Sequence, residues 1–523
     1  MKLIDDLLKN RFFAFYLFLL AFGVYLFNSW GVSIYILDEA KNSSCAREML
    51  EMKHWFVPTF NYELRTDKPP LHYFFMMLAY SVFGVNAFAA RFFSAVFGAF
   101  TILVSFVYTR RFTNARTAFW TAIVLLSSIH LSLQFHLAVP DPYLIFFMTW
   151  SMFAFFAALY SNNKYEWLWM YVSVGLATLT KGPVAILLPG LIFLFYLIFS
   201  KSFSRESMRK LKPFYGVVVV LLIVLPWYIL NGVETQWEWT RGFFLEHNLH
   251  RFSDEKEGHG GIFLITFAFV LIGLFPFAVF LPQSIVFAFK DKKQRFILFS
   301  LIAGLTIVAF FSVSQTKLPN YTVPAYPFLA VIIAYFIANK LTNYKQVRVA
   351  FIVMLTLSIL IPIAAFVAMD FDPSLALVRR LSMWLLVLPV LALMAFFYRK
   401  KLITFLFFTG LSGLLTALMF FGVIYPRIDR QNPVAQSVGM LKNHEVAYYG
   451  KFNASYSFYL QKKINRIEGN EIDDFFQQHP DGIIISTKRR IEQLELETKY
   501  EIIFSGRDLF EKPTTVLISA KKN

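Results

Sequence analysis

Cysteine and charge are what this chain has least of. One cysteine, Cys45, in 523 residues excludes an intramolecular disulfide and any cysteine-based metal cluster, so catalysis must rest on other side chains. Only 16% of the residues are charged, against the roughly 25% usual in soluble domains. There is also no glycine-rich phosphate loop, no internal repeat of the transporter kind and no low-complexity tract. What remains is apolar: 57% of the residues are hydrophobic and 63 are Phe, which excludes a soluble single-core globule and points to a bilayer.

The net charge of +17 would suggest nucleic acid in a soluble protein. Here Lys and Arg fall in short gaps between apolar runs, as the positive-inside rule requires, so the charge reads as membrane orientation and no nucleic-acid partner is expected. The first apolar stretch, Phe12 to Trp30, is too long for a signal-peptide core and lacks a small-residue cleavage site. It is expected to be a retained spanning helix with Lys2, Lys9 and Arg11 in the cytoplasm.

Spans are expected at 12–30, 88–108, 117–135, 142–160, 166–180, 183–200, 214–231, 261–289, 296–314, 321–339, 349–369, 382–398 and 402–424, thirteen in all. With the N-terminus inside, every second connection is basic: Arg110, Arg111 and Arg116; Lys164; KSFSRESMRKLK; KDKKQR; NKLTNYKQVR; YRKK. The run LHYFFMMLAYSVFG (71–84) is short for a span, and counting it would reverse every later loop against the charge rule, so it is placed along the outer interface. The outward side then receives 32–87, 136–141, 232–260, 315–320, 370–381 and everything after 425. Residues 426–523 alternate short strand patterns (HEVAYYG, INRIEG, DGIIIST, YEIIF, TTVLIS) with helical ones, and are expected to form a small extracytoplasmic α/β domain. The fold class is thus a mainly α polytopic membrane protein, a membrane domain at 1–425 followed by that α/β domain at 426–523.

Chemistry-bearing residues cluster in the outward loops. In YILDEAKNSSCAREML, Asp38 and Glu39 directly follow the first span. The run from Asp38 to Lys53 puts Cys45, Ala46, Met49, Leu50 and Met52 on one side of a helix expected to lie flat on the membrane, with Asp38 either its N-cap or a functional carboxylate. In TDKPPLHYF, the double proline holds Lys68 in extended backbone, where it can meet a phosphate or snorkel to headgroups. Asp141 sits between two prolines in HLAVPDPYL and suits a helix cap or a site. QTKLPNYTVPAYP supplies Lys317 and Tyr321 on backbone broken by prolines, and TKGP adds Lys181. The loop RGFFLEHNLHRFSDEKEGHGG carries His247, His250, His259 and Arg251; its histidine spacing lacks the HExxH glutamate, so Arg251 as an anion contact is favoured over zinc.

The order DE, REML, His-Trp-x-Val-Pro, KPPL, FGVNAFAARFFSA, PDP, LTKGP, PWY, the His-rich loop and KLPNYTVPAYP resembles the bacterial aminoarabinose transferases of lipid A and the related protein O-mannosyltransferases, GT-C glycosyltransferases. The resemblance runs over about residues 12–330 and weakly beyond. It implies a multi-pass protein of the bacterial cytoplasmic (inner) membrane with an outward cavity, facing the periplasm or exterior. It further implies a polyprenyl-phosphate-linked sugar donor, inversion at the anomeric carbon, and an acceptor that is lipid A phosphate, another glycan or a protein hydroxyl.

On that resemblance Asp38 and Asp141 are the catalytic carboxylates, and Lys68, Lys317, Tyr321 and Arg251 the donor-phosphate contacts. Glu39, Asp67, Lys181, His247 and His259 line the substrate cavity. Asp67 stands where aminoarabinose transferases commonly have Glu; with His259 it would form the only metal site considered, for zinc or magnesium, and its shorter side chain counts against one. Asp38 would take the proton of the acceptor hydroxyl while lysines neutralise the departing phosphate, a single displacement. The rivals are a transporter or flippase of lipid-linked sugars, which would carry its charges at mid-span, and an anchor presenting the α/β tail.

Overall fold

The computed structural model describes residues 2–249, 263–291 and 294–521, with side chains at 6–245, 263–291 and 294–521. Each apolar run named above is a helix or a broken pair of helices. Among the described residues, eight helices are long and apolar enough to cross a membrane, ten if each broken pair counts as one span. That is fewer than thirteen. The difference lies in Phe13–Leu26, Glu166–Lys181 and Val184–Phe199, helices of 14, 16 and 16 residues that fall short of a full crossing.

Two runs expected to be continuous are bent. Ala115–Leu126 meets Ile129–Phe135 at 68°, and Ile265–Gly273 meets Phe277–Lys290 at 118°. The second break falls at Pro276, which lacks an N–H and whose ring blocks the preceding turn. The first falls at Ser128, whose hydroxyl caps the second segment by accepting from Leu131 N and donates to the Gly273 carbonyl at 2.7 Å. The two breaks therefore meet. Gly413 lets a third helix pass them: a Cβ there would lie 2.2 Å from the Ser127 carbonyl and 2.7 Å from Pro276.

Contacts sort the connections into two ends. At one, Arg110 donates to the Leu8 carbonyl (3.3 Å), Arg111 pairs with Glu166 (2.5 Å), Lys210 reaches the Leu159 carbonyl (3.3 Å) and Asn114 meets Asn339 (3.4 Å). Arg295 stands 5.1 Å from the centre of the Tyr160 ring at the same end. The basic connections thus share one face of the bundle. The other end carries the loop at 29–70, the turn before Asp141, the Lys181 turn and the segment at 314–321.

That loop differs from the expected flat amphipathic helix. Leu37–Glu51 is buried on nearly every side, enclosed by Leu71–Phe83 and by the C-terminal domain. The buried carboxylate of this helix is answered: Glu48 accepts from Thr59 Oγ1 (2.8 Å), Asn61 N (2.9 Å) and Tyr62 N (2.9 Å). Those bonds hold the turn of the hairpin Thr59–Phe60/Glu63–Leu64, where Asn61 and Tyr62 have φ of 54° and 62°.

The C-terminal segment is a five-stranded sheet in the order Asn465–Ile467, Val446–Tyr449, Ile483–Thr487, Thr514–Ala520, Tyr500–Arg507. The first three strands are parallel and the last two antiparallel. All five coincide with the strand patterns read above. The sheet domain docks on the loop: Asn61 and Ile464 exchange two bonds of 2.9 Å, and Leu509 N donates to Tyr35 OH at 2.9 Å.

Glu39 is not in a cavity. It is fully buried and bidentate to Arg91, Nε to Oε1 and Nη2 to Oε2, both 2.7 Å. Arg91 spends its remaining donors on the carbonyls of Ser29 and Val32 (both 2.8 Å) and Ser33 (2.9 Å), so all five N–H groups are used. Glu39 Oε1 also accepts from Ala138 N at 2.9 Å, three residues before Asp141. Removing one partner of a buried pair strands the other charge, at about 3–5 kcal/mol. Arg91→Ala is therefore expected to lower the melting temperature of the detergent-solubilised protein sharply, and Arg91→Lys, which cannot form the fork, to lower it too; an unchanged melting curve for Arg91→Ala would refute this account.

Candidate active site

At the end opposite the basic connections lies a cavity of about 430 Å³. Its charged wall is Asp67, Lys68, Asp141 and Lys181, with Ser314, Asn320 and Tyr321 beside them. The rest is apolar, including Leu144, Met148, Leu187 and Leu188 from two helices and the rings of Phe243, Phe244, Phe310 and Phe311. Such a surface suits a ligand with one anionic group and a hydrocarbon body.

Each charged group is placed by a helix end or a chain break. Asp141 opens Asp141–Tyr160, yet it caps nothing: Pro140 holds the cap position. Its Oδ1 instead accepts from Lys181 Nζ at 2.8 Å and Asn320 Nδ2 at 3.2 Å. Lys181 ends Glu166–Lys181, and its ammonium lies 5.3 Å from the centre of the Tyr321 ring. The chain turns there through Gly182 at φ +78°, where a Cβ would stand 2.5 Å from Phe243. The prolines at 319 and 324 bracket a 3-10 turn, Pro319–Ala325, that carries Asn320 and Tyr321 to the wall.

Lys68 and Asp67 come from the bent segment just before Leu71–Phe83, which Pro70 caps. Asp67 Oδ2 accepts from Arg65 Nε at 3.0 Å. Arg65 is buried, and its backbone carbonyl accepts from Trp239 Nε1 at 2.8 Å. Burial works against its charge, but Tyr73, Asp67, Cys45 and Asp38 more than offset that and raise its pKa. Beneath them the His72 imidazole is held well below its usual pKa, first by burial and then by the charges of Arg65 and Lys68.

The expected residues thus separate into groups. Lys68, Asp67, Asp141, Lys181 and Tyr321 converge on one cavity. Lys317 stands just behind it: its Nζ donates to the carbonyl of Ser314, a wall residue, at 2.7 Å. Asp38 is exposed in the first turn of Leu37–Glu51, where Ile36 holds the cap position, and its charge is among those that raise the pKa of Arg65. Glu39 is withdrawn into the Arg91 pair. The side chains of His247, Arg251 and His259 lie outside the described residues. Asn320 and Arg65 were not singled out in the sequence, although Asn320 lies inside KLPNY and Arg65 directly precedes TDKPPL; only the fold shows what they touch.

The described residues do not fit a divalent metal. Asp67 is already paired with Arg65, and no group of three His, Cys, Asp or Glu side chains is gathered among them.

A model of the dolichyl-phosphate-mannose-protein mannosyltransferase family matches residues 67–230, which include Lys68, Asp141 and Lys181. The fold overlays the ArnT of Cupriavidus metallidurans, solved bound to undecaprenyl phosphate, at a TM-score of 0.81 over 97% of this chain and 98% of that one, with 20% identity. The chain has the ArnT fold. In sequence it resembles the same group of GT-C glycosyltransferases: an undecaprenyl phosphate-alpha-4-amino-4-deoxy-L-arabinose arabinosyl transferase 2 of Pseudomonas fluorescens is 31% identical over 68% of this chain and 60% of its own length. The homologous enzyme of Proteus mirabilis is 28% identical over 59% of this chain and 56% of its own. The chain therefore spans about 60% of the length of these arabinosyl transferases. An uncharacterized protein of Aquifex aeolicus is 28% identical over 85% of this chain and 86% of its own length.

The turn at Gly182 supplies a direct test of the wall. Gly182→Ala forces a side chain into left-handed backbone and against Phe243. It is expected to cost more than about 1 kcal/mol, read as a lower melting temperature, whereas Gly190→Ala, inside a helix and with open space around its Cβ, should not lower it.

Proposed function

We propose that the protein is an inverting glycosyltransferase that moves a sugar from a polyprenyl-phosphate donor to an acceptor on the outward face of the bacterial inner membrane. One observation carries this reading: Lys68, Lys181, Asp141 and Tyr321 stand at one wall of a cavity whose other walls are hydrocarbon. A polyprenyl phosphate has that same division of charge and apolar length. The arabinosyl transferases and the ArnT structure, whose names specify undecaprenyl phosphate, support the choice of donor.

The division of labour is a membrane domain at 1–425 that does the chemistry and an α/β domain at 426–523. The positive-inside rule supports the orientation, since the basic connections share the end opposite the cavity. The α/β domain docks on the cavity's side and would face the periplasm or exterior with it.

In the reaction, the bond from the acceptor oxygen to the anomeric carbon forms as the bond from that carbon to the phosphate oxygen breaks. The electron pair leaves with the phosphate, and attack from the opposite side inverts the configuration. Lys68 neutralises the departing group in a partly dry site, where a charge-assisted contact counts for more than in water. Lys317 and Tyr321 back the same wall. Asp38, exposed to solvent, takes the acceptor proton. Asp141, whose contacts among the described residues fall on Oδ1, positions the acceptor through Oδ2. Lipid A phosphate, another glycolipid and a protein hydroxyl can each present the attacking oxygen.

Asp38→Asn is expected to abolish transfer in a reconstituted assay while binding of polyprenyl phosphate is retained. Undiminished turnover would remove Asp38 from the mechanism, and flipping of lipid-linked sugar without transfer would favour a translocase. Lys68→Gln should weaken polyprenyl-phosphate binding by about 1.5–3 kcal/mol, measured by titration; an affinity equal to wild type would place the phosphate elsewhere.

A further inference from the structure

A second, separate cavity of about 290 Å³ opens where Tyr344–Phe371 ends, Ala376–Phe397 begins and Leu402–Asp429 ends. Its walls carry Arg380, Arg427 and Arg430, with Leu377, Val378 and Leu381 between them. The three arginines are exposed, and among the described residues no carboxylate pairs with any of them. The nearby acids are engaged elsewhere: Asp370 pairs with Arg379, and Asp429 accepts from the backbone and hydroxyl of Ser33. Arg427 is steadied by Trp384, whose ring centre lies 5.7 Å from its guanidinium.

A lone arginine at a helix end snorkels toward water and needs no further explanation. Here three guanidinium groups from two separate elements converge on one concavity without a counter-charge, so their mutual repulsion favours an anion between them. Guanidinium forks match phosphate oxygens. Beside the cavity, Phe371 and Leu377 are 84% and 88% exposed, the two most exposed large apolar side chains among the described residues. The junction lies at the ends of apolar spans, the depth of lipid headgroups.

We propose that this groove binds the phosphate headgroup of an anionic membrane lipid, held by Arg380, Arg427 and Arg430, with its acyl chains along Phe371 and Leu377. The proposal depends on the chain's residence in a bilayer and is independent of the transferase reading.

Native mass spectrometry of the full chain in neutral detergent, titrated separately with phosphatidylglycerol and phosphatidylcholine, tests it. Wild type is expected to prefer phosphatidylglycerol, and R380Q/R427Q/R430Q to bind it at least about tenfold more weakly, with R379Q, whose arginine is already paired, unchanged. Should the triple variant fail to fold, R427Q with a wild-type melting temperature carries the comparison, with an expected loss of about threefold. Equal binding by wild type and variant, or no preference between the two lipids, overturns the proposal. So does displacement of phosphatidylglycerol by millimolar inorganic phosphate, which would mark a site for the free anion.

Discussion

The bidentate pair between Arg91 and Glu39 is the contact on which the cavity end of the molecule depends. One guanidinium joins the chain leaving the first helix, through the carbonyls of Ser29, Val32 and Ser33, to the buried helix Leu37–Glu51. Through Ala138 N, Glu39 extends the link to the turn from which Asp141 starts its helix. A pair this deeply buried is expensive to desolvate, and it is tolerated because every donor on Arg91 is used. What it secures is position: two loops separated by some hundred residues of sequence are fixed relative to one another at the mouth of the bundle.

From that frame the site follows as a separation of charge from grease. The charged wall is assembled from four chain segments, each stiffened by proline or ended by a helix terminus, whereas the hydrocarbon wall comes from the interiors of helices. Arg65 and His72 show how the field at that wall is built. The buried arginine is paired with Asp67, and the imidazole beneath is kept neutral by burial and by the cations near it. Asp67, held by Arg65, completes the wall as a paired carboxylate.

Much of the fold was legible. Apolar length and basic gaps marked the helices and sorted their connections, because transfer from water to lipid is a property of each segment by itself. The breaks at Ser128 and Pro276 were not read, since a run of apolar residues reports hydrophobicity and not direction. Leu37–Glu51 was expected on the membrane surface for a similar reason: its apolar stripe was visible, but not that the helix Leu71–Phe83 and the C-terminal domain would cover it, with Thr59, Asn61 and Tyr62 answering Glu48. The strand patterns after 425 matched the sheet because alternation and turn residues are local signals.

The site was legible as a list and not as a geometry. Sequence alone showed which residues were available: Asp38, Asp67, Lys68, Asp141, Lys181 and Lys317 in connections assigned to one end, several beside prolines. Tertiary structure alone decided their roles, drawing Glu39 away to Arg91, giving Asp141 to Lys181 and Asn320, and setting Lys317 behind Ser314. The physical reason is range. Hydropathy and backbone stiffness act over a few residues of chain, whereas an ion pair depends on which segments packing brings within about 3 Å, and here those segments lie 40 to 179 residues apart.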